Sequence, residues 1–491
     1  MANKIQIGKD AYINLSKLNR HGFIAGSTGS GKTVTLKVIT ELLAENGIPV
    51  FLSDIKGDLS SLIEEGETNE AISKRVEEIG LEDYSNRKYD AEFLDVFGKR
   101  GIPLRTTISQ MGPVMLAQIL GLNDTQEGIL NIAFKLADEK GLLLIDIKDL
   151  RAVLNFVDEN KKDLASHYGN ISSASIGAIL RSLLVLENQG GYLFFGEPAF
   201  DIKDLMRTNS AGEGMINILS SQDLYKFPNL YATFLMWLLS ELYESLDEVG
   251  DQEKPKLVFF FDEAHVLFNN ASKDLLEKIE LVVRLIRSKG VGVFFVSQKA
   301  TDIPDDVLAQ LSNRIQHSLR AYTPKEQKEV KAIAESFRQK EGEDLEEVIM
   351  NLKTGEALVS VLDEDSKPTF AKNAMINPPK SKMDNVTEDL VNRAINHSAL
   401  YDKYAEYVDN ESAYEILEKE KVIRQEEAAR LAQEEAIKKE EVAQAKEARK
   451  EAKKRSNRMT PFERFANNII GSIGRSVGRE ISRGIFGNRK R

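Results

Sequence analysis

The 491-residue chain contains no cysteine, a single tryptophan and five histidines. Disulfides, thiolate metal sites and cysteine nucleophiles are therefore excluded. The few histidines, His21, His265 and His317 among them, lack metal-ligand spacing, so they read as structural or supporting residues. Proline is sparse at 12 residues, which leaves long stretches free to be helical. No apolar run approaches the length of a membrane-spanning helix, and the first residues lack the apolar core of a signal peptide. The expectation is a cytoplasmic protein of two or three domains.

Charge is unevenly spread. The net value is −11, yet residues 456–491 carry eight Arg or Lys against Glu463 and Glu480, about +6. The rest of the chain then holds 58 basic and 75 acidic residues, about −17. An acidic body offers no global attraction to nucleic acid, so any such contact is local, through a lined channel or through the tail.

The most informative segment is Gly26-Ser27-Thr28-Gly29-Ser30-Gly31-Lys32-Thr33, which satisfies G-x-x-x-x-G-K-[ST] at every defined position. His21–Ala25 reads as a short buried strand leading in, and Thr33–Ala44 carries apolar residues at helical spacing leading out. Glycines let backbone N–H groups wrap a polyphosphate at a helix N-terminus. Lys32 is placed to reach the β- and γ-phosphates of ATP, and the Thr33 hydroxyl to ligate Mg²⁺.

Further apolar runs at 49–54, 214–220, 256–262 and 291–297 read as strands buried on both faces, the pattern of a parallel sheet covered by helices. Short strands are also expected at 92–97 and 103–107, and helices at 111–120, 125–139, 147–160, 173–188 and 231–246. The organisation expected is an ATPase core begun by 1–60 and resumed by 211–375, interrupted by a mostly helical insertion over 61–210. A charged helical extension over 376–455 and a basic amphipathic tail over 456–491 follow. From about Ser412 to Lys454 the composition turns to Ala, Glu, Lys, Arg and Gln, a long exposed helix or loose coiled coil.

Leu257–Phe261 delivers Asp262 and Glu263 to a strand end, Asp262 for the Mg²⁺ shell and Glu263 to polarise the attacking water. The strand Val293–Ser297 ends in Gln298, an amide suited to bonding both γ-phosphate and lytic water. Phosphoryl transfer also wants a cation against the developing charge. Arg314 and Arg320 are the candidates, with Arg284 and Arg287 as alternatives on the preceding helix.

Together GSTGSGKT, FLSDIKGDLS, LDVFGKRGIPLRTTISQMGP, FFFDEAH, FFVSQ and LSNRIQHSLRAYTPKEQ resemble the HerA-like branch of the HerA–FtsK ATPases. The resemblance implies an α/β, RecA-like P-loop fold with a mainly parallel sheet. It also implies hexameric rings, Mg·ATP hydrolysis at subunit interfaces, arginines supplied in trans, and double-stranded DNA pumped through the ring. The N-terminal barrel of archaeal HerA, which helps dock a nuclease, is not evident in the short lead-in before Gly26, so nuclease coupling is not expected.

The function expected is a ring motor acting on DNA; the alternative is an ATP-switched scaffold or protein-directed motor recruited by its tail. That tail sets Phe462, Phe465, Ile469, Ile473, Val477, Ile481 and Ile485 in one stripe and Arg475, Arg479 and Arg483 in another. An anionic membrane surface (hence peripheral membrane association), nucleic acid, a protein partner's groove, or simple docking on its own domain all suit that pattern.

Overall fold

A computed structural model describes residues 3–250, 252–270 and 273–456, together with Phe465. It divides into two compact units, Met1–Ile416 and Leu417–Arg491.

In the first unit, β1 (Lys4–Gly8) and β2 (Ala11–Asn14) form an antiparallel hairpin. Ten further strands build one sheet. In chain order these are β3 (Gly22–Ala25), β4 (Val50–Asp54), β5 (Ala91–Asp95), β6 (Ile102–Pro103) and β7 (Ile216–Ser220), then β8 (Leu257–Phe261), β9 (Val291–Ser297), β10 (Asn313–Gln316), β11 (Glu356–Ser360) and β12 (Lys372–Met375). Their spatial order is β12-β11-β10-β3-β9-β8-β4-β7-β5-β6. The run from β10 to β6 is parallel throughout, and β11 and β12 close one side antiparallel. The mainly parallel α/β sheet expected from the apolar runs is therefore present.

Every residue of β3, β4, β8 and β9 is buried, as strands covered by helices on both faces must be. Cross-strand aromatics knit the centre. Phe260 meets Phe294 with centroids 5.1 Å apart, Phe261 meets Phe295 at 5.6 Å, and Phe51 meets Phe259 at 5.0 Å. Each pair is also in register across neighbouring strands, so the rings add lateral contacts to the ladder hydrogen bonds. The helix Pro228–Ser245 packs on this layer, its Trp237 wedged edge-on to Phe194.

Helices at Ile108–Ile119, Asp124–Lys140, Ile147–Glu159 and Ser173–Leu186 occupy the stretch between β6 and β7. The strand expected over 103–107 shrinks to Ile102–Pro103. Thr106 N–H is drawn to Phe194 O at 2.9 Å, and the Thr107 side chain caps the next helix, so neither residue extends the ladder. That helix starts at Ile108, earlier than its apolar spacing suggests, and breaks at Gly112 before Pro113.

In the second unit, residues from Leu417 continue the single helix Ala413–Ser456, with Ile423, Leu431, Ile437 and Val442 exposed. The amphipathic reading of the tail lies outside the described residues, apart from an exposed Phe465. Among the described residues no single helix is long and apolar enough to cross a membrane.

Helix α1 (Lys32–Glu45), which follows β3, is strapped by the segment after β12. Buried Glu41 accepts from Lys380 N–H at 2.8 Å, Ser381 N–H at 3.0 Å and Ser381 Oγ at 2.6 Å. One turn earlier, buried Lys37 donates to Ser61 Oγ at 3.0 Å and to Lys382 O. Glu41→Ala removes one carboxylate and leaves three donors, two of them buried, without an acceptor. The expected loss is about 3 kcal/mol of unfolding free energy, measured by denaturant titration, against near neutrality for the exposed Glu77→Ala.

Candidate functional site

β3 ends at Ala25 and the chain enters the glycine loop. Gly26, Gly29 and Gly31 have φ of 153°, 75° and 113°, where a side chain is strained. At Gly26 a Cβ would also lie 2.5 Å from the His317 Cβ, so this position excludes any larger residue sterically. The loop is tied down by residues distant in sequence. Ser27 donates through both N–H and Oγ to Ser318 O, at 3.0 and 2.9 Å, and Gly355 N–H donates to Ser30 O at 3.0 Å. Ser30 Oγ turns back to Ser27 O at 2.7 Å. The first-turn N–H groups of α1 have no intrahelical acceptor and form, with the loop, an anion-binding mouth. Lys32 Nζ lies across this mouth, donating to Gly26 O at 2.7 Å and Ser27 O at 3.1 Å. Thr33 is half-buried in that same first turn.

His317, fully buried, is the floor of the loop. Its Nδ1 bonds Glu356 O at 2.9 Å, and a carbonyl only accepts, so Nδ1 carries the proton. The Thr35 hydroxyl then donates to Nε2 at 2.9 Å. Burial lowers the His317 pKa to about 4, which keeps the ring in this neutral tautomer.

β8 lies one strand away from β3, across β9, and sets Asp262 and Glu263 at the same edge of the sheet. Asp262 is buried, and its Oδ2 has no hydrogen-bond partner among the described residues. Burial raises its pKa to about 6; Lys56 opposes the shift and Glu263 adds to it. Glu263 is held differently. Burial acts to raise its pKa, but the hydrogen bond and charge of Lys56, then His265 and Lys32, outweigh it and hold the carboxyl low. Lys56 Nζ sits 2.5 Å from Glu263 Oε1, and His265 Nδ1 lies 3.3 Å from Oε2. The backbone at Glu263 has φ 48°, uncommon for a residue with a side chain, and the next N–H, of Ala264, donates to Val296 O at 2.9 Å.

Lys32 is depressed by its own burial, with the charges of Glu263 and Asp262 acting to raise it and that of Lys56 to lower it. Loop lysine, acid pair and Lys56 thus form one electrostatic cluster. Asp54, at the end of neighbouring β4, is raised to about 7 by burial and then by Asp58, while its oxygens accept from Gly57 N–H at 2.6 Å and Leu59 N–H at 3.1 Å.

The remaining candidates are dispersed. Gln298 is exposed just past β9, whose Ser297 is in register with Ala25, so the amide sits on the edge between the loop strand and the acid strand. Arg314 pairs in register with Phe23, and its guanidinium is engaged with Leu311 O at 3.2 Å and Leu308 O at 3.4 Å of its own chain. Arg320 is exposed, two residues beyond the Ser318 that anchors the loop. Arg284 is exposed beside Glu280 at 3.8 Å. Lys56 escaped sequence reasoning because a Lys-Gly-Asp turn carries no periodic signal; only the adjacency of β4 and β8 brings it to Glu263.

A parallel sheet in which one strand feeds a G-x-x-x-x-G-K-T loop and a helix, with an acid pair one strand removed, defines a P-loop ATPase of RecA-like build. The chain belongs to the helicase HerA-like C-terminal family, whose description matches residues 2–491. It is 24% identical over 376 residues to the DNA double-strand break repair helicase HerA of Sulfolobus acidocaldarius, covering 73% of this chain and 67% of that one. The protein of the same name from Sulfurisphaera tokodaii is also 24% identical, over 386 residues, 72% of this chain and 66% of the relative. The chain therefore spans about two thirds of the length of these relatives. Among solved structures, an unbound bacterial conjugative coupling protein TrwB superposes with a TM-score of 0.52 at 14% identity, over 79% of this chain and 91% of that one, a likeness of fold.

The neutral histidines predict a pH effect. His21, which accepts from Val293 N–H at 3.0 Å, is also lowered to about 4, chiefly by burial. Between pH 6.5 and 4 the unfolded chain binds these protons and the folded chain does not, so both histidines remove stability as pH falls through that window. Asp54 and Asp262, raised by burial, act in the opposite sense between about pH 7 and 3.8. A His21→Gln, His317→Gln variant, less stable at pH 7, should therefore lose less on acidification than the wild type. Parallel denaturant titrations at pH 7 and pH 5 measure that difference.

Proposed function

We propose that this protein is a Mg·ATP-hydrolysing ring motor that acts on double-stranded DNA in the cytoplasm. The observation that carries the reading is the meeting of Lys32, Asp262 and Glu263 in one charged cluster at the sheet edge. The glycine loop and the first turn of α1 would cradle the phosphates, with Lys32 moving from the loop carbonyls to phosphate oxygens. The unpartnered, buried Oδ2 of Asp262 and the Thr33 hydroxyl suit a hard cation that takes few protein ligands, as Mg²⁺ does. When bound, Mg²⁺ supplies charge neutralisation at the phosphates. Glu263, held ionised, orients and polarises the attacking water, and Gln298, just past β9, is the amide assigned to the reacting phosphate in this reading. DNA as the substrate draws on the name of the HerA relatives, DNA double-strand break repair helicase, and its double-stranded form and the hexameric ring draw on the resemblance to the HerA–FtsK ATPases.

Lys32→Ala should weaken ATP binding about 10- to 100-fold, the worth of charge-assisted contacts to phosphate, with the melting temperature kept. Glu263→Gln should keep ATP affinity and slow turnover about 10²- to 10⁴-fold. Calorimetry and steady-state rates read the two effects; near-normal turnover in Glu263→Gln refutes its role.

Of the two arginines, Arg320 is the better candidate for a finger, because Arg314 is already committed to carbonyls of its own chain. Arg320→Ala should cost about 10³-fold or more in turnover. Mixing it with Lys32→Ala protein should restore partial activity if the arginine acts across a subunit interface. Verified mixing without rescue assigns it to its own subunit.

A further inference from the structure

Beside the acid pair, at the same edge of the sheet, the ends of β4, β7 and β5 open into a cavity of about 430 Å³. Its cations are Lys56, Lys99 and Arg100, and its acids are Asp54 and Glu388. The oxygens of Asp54 are taken up by the turn amides of Gly57 and Leu59, so they add little to the lining. Lys99 and Arg100 are exposed, but the loop that carries them is set by Asp95. Its carboxylate accepts from the N–H groups of Phe97 at 2.9 Å, Lys99 at 2.8 Å and Arg100 at 2.9 Å. Two cations are thus presented on a preformed backbone, the arrangement that suits a tetrahedral oxyanion.

Lys56 belongs to two places at once. It lines this cleft, and its Nζ rests on Glu263 Oε1 at 2.5 Å. The turn beneath it is held by Asp54, which accepts from Gly57 N–H and Leu59 N–H. Gly57 has φ 84°, and a Cβ there would lie 1.8 Å from Gln222 Nε2, another lining residue. With the backbone held, the half-exposed Lys56 side chain is the movable part, four rotatable bonds long and within reach of either anion.

We propose that the cleft binds a phosphate-type oxyanion, and that its arrival draws Lys56 off Glu263 and releases that carboxylate to act on water. The proposal rests on the ATPase reading above and adds to it a second anion site and a restraint on hydrolysis. The phosphate source favoured is a phosphodiester of the duplex, because Lys99 and Arg100 present their charge on an exposed loop that an extended backbone can reach. In the resting protein the Lys56 contact occupies one of the two oxygens that would orient water. A polyanion in the cleft competes for the same ammonium, so substrate binding and ATP turnover become linked through one side chain.

The test compares wild type, Lys99→Ala/Arg100→Ala, Lys56→Ala and Lys56→Arg. ATP turnover is measured alone, with duplex DNA and with inorganic phosphate, and the salt dependence of duplex binding is measured separately. Duplex should stimulate the wild type. Lys99→Ala/Arg100→Ala should keep the basal rate, lose the stimulation and show a salt slope for duplex binding reduced by about 2. Lys56→Ala should raise basal kcat about tenfold at unchanged KM for ATP and respond no further to duplex, and Lys56→Arg should restore the low basal rate. Stimulation by inorganic phosphate alone upholds the cleft and names free phosphate as its occupant. A fall of kcat in Lys56→Ala overturns the proposal, as does full stimulation with an unchanged salt slope in Lys99→Ala/Arg100→Ala. A basal rate that disappears in Lys32→Ala secures the ATPase reading independently, so failure of the cleft and failure of that reading are separate results.

Discussion

Burial of the central strands on both faces is the constraint from which the rest follows. A strand such as Leu257–Phe261 has no solvent side, so polar groups inside it would be stranded without partners. Charge is pushed to strand ends, and because the strands are parallel their C-terminal ends share one edge. Asp54 closes β4, Asp262 and Glu263 follow β8, Gln298 follows β9, and Lys32 opens the helix after the loop that leaves β3. The crowding of charge there is a consequence of topology, and burial at that edge, with neighbouring acids adding to it, raises the carboxyls of Asp54 and Asp262.

The cluster is not left to solvent. Lys56 offsets both acids at once, and the strained backbone of Glu263 is held by Lys56 on one oxygen and by the Ala264–Val296 hydrogen bond behind it. A carboxylate that is ionised, buried and already paired is well placed but restrained. The same contact offsets the burial of Glu263 and, in the proposal made above, restrains its chemistry.

The glycine loop has a support of a different kind. His317 and Ser318 follow β10 and Gly355 precedes β11, far along the chain from the loop they hold. Neutral His317 fills the space that the missing side chain of Gly26 leaves. Behind the loop, the buried Glu41–Ser381 bonds fasten the far side of α1 to the segment after β12. Segments beside the last strands of the sheet thus fix the position of the loop that follows the first.

Reading the residues in order was enough for the loop, the acid pair and the parallel sheet, because each is a local signal. The glycines and Lys32 are contiguous, Asp262 and Glu263 follow an apolar run, and burial on both faces leaves continuous hydrophobic stretches. It was also enough for most helices, where apolar spacing is strong. It could not end the strand at Pro103, since Thr106 and Thr107 are diverted by Phe194 and by a helix cap. Nor could it distinguish Arg314 from Arg320, which look alike in sequence and differ only in what surrounds them. Lys56, the partners of His317 and the Lys99–Arg100 cleft were invisible for the same reason. Their partners are set by which strands lie side by side, and strand order is a property of the packed sheet rather than of any stretch of chain.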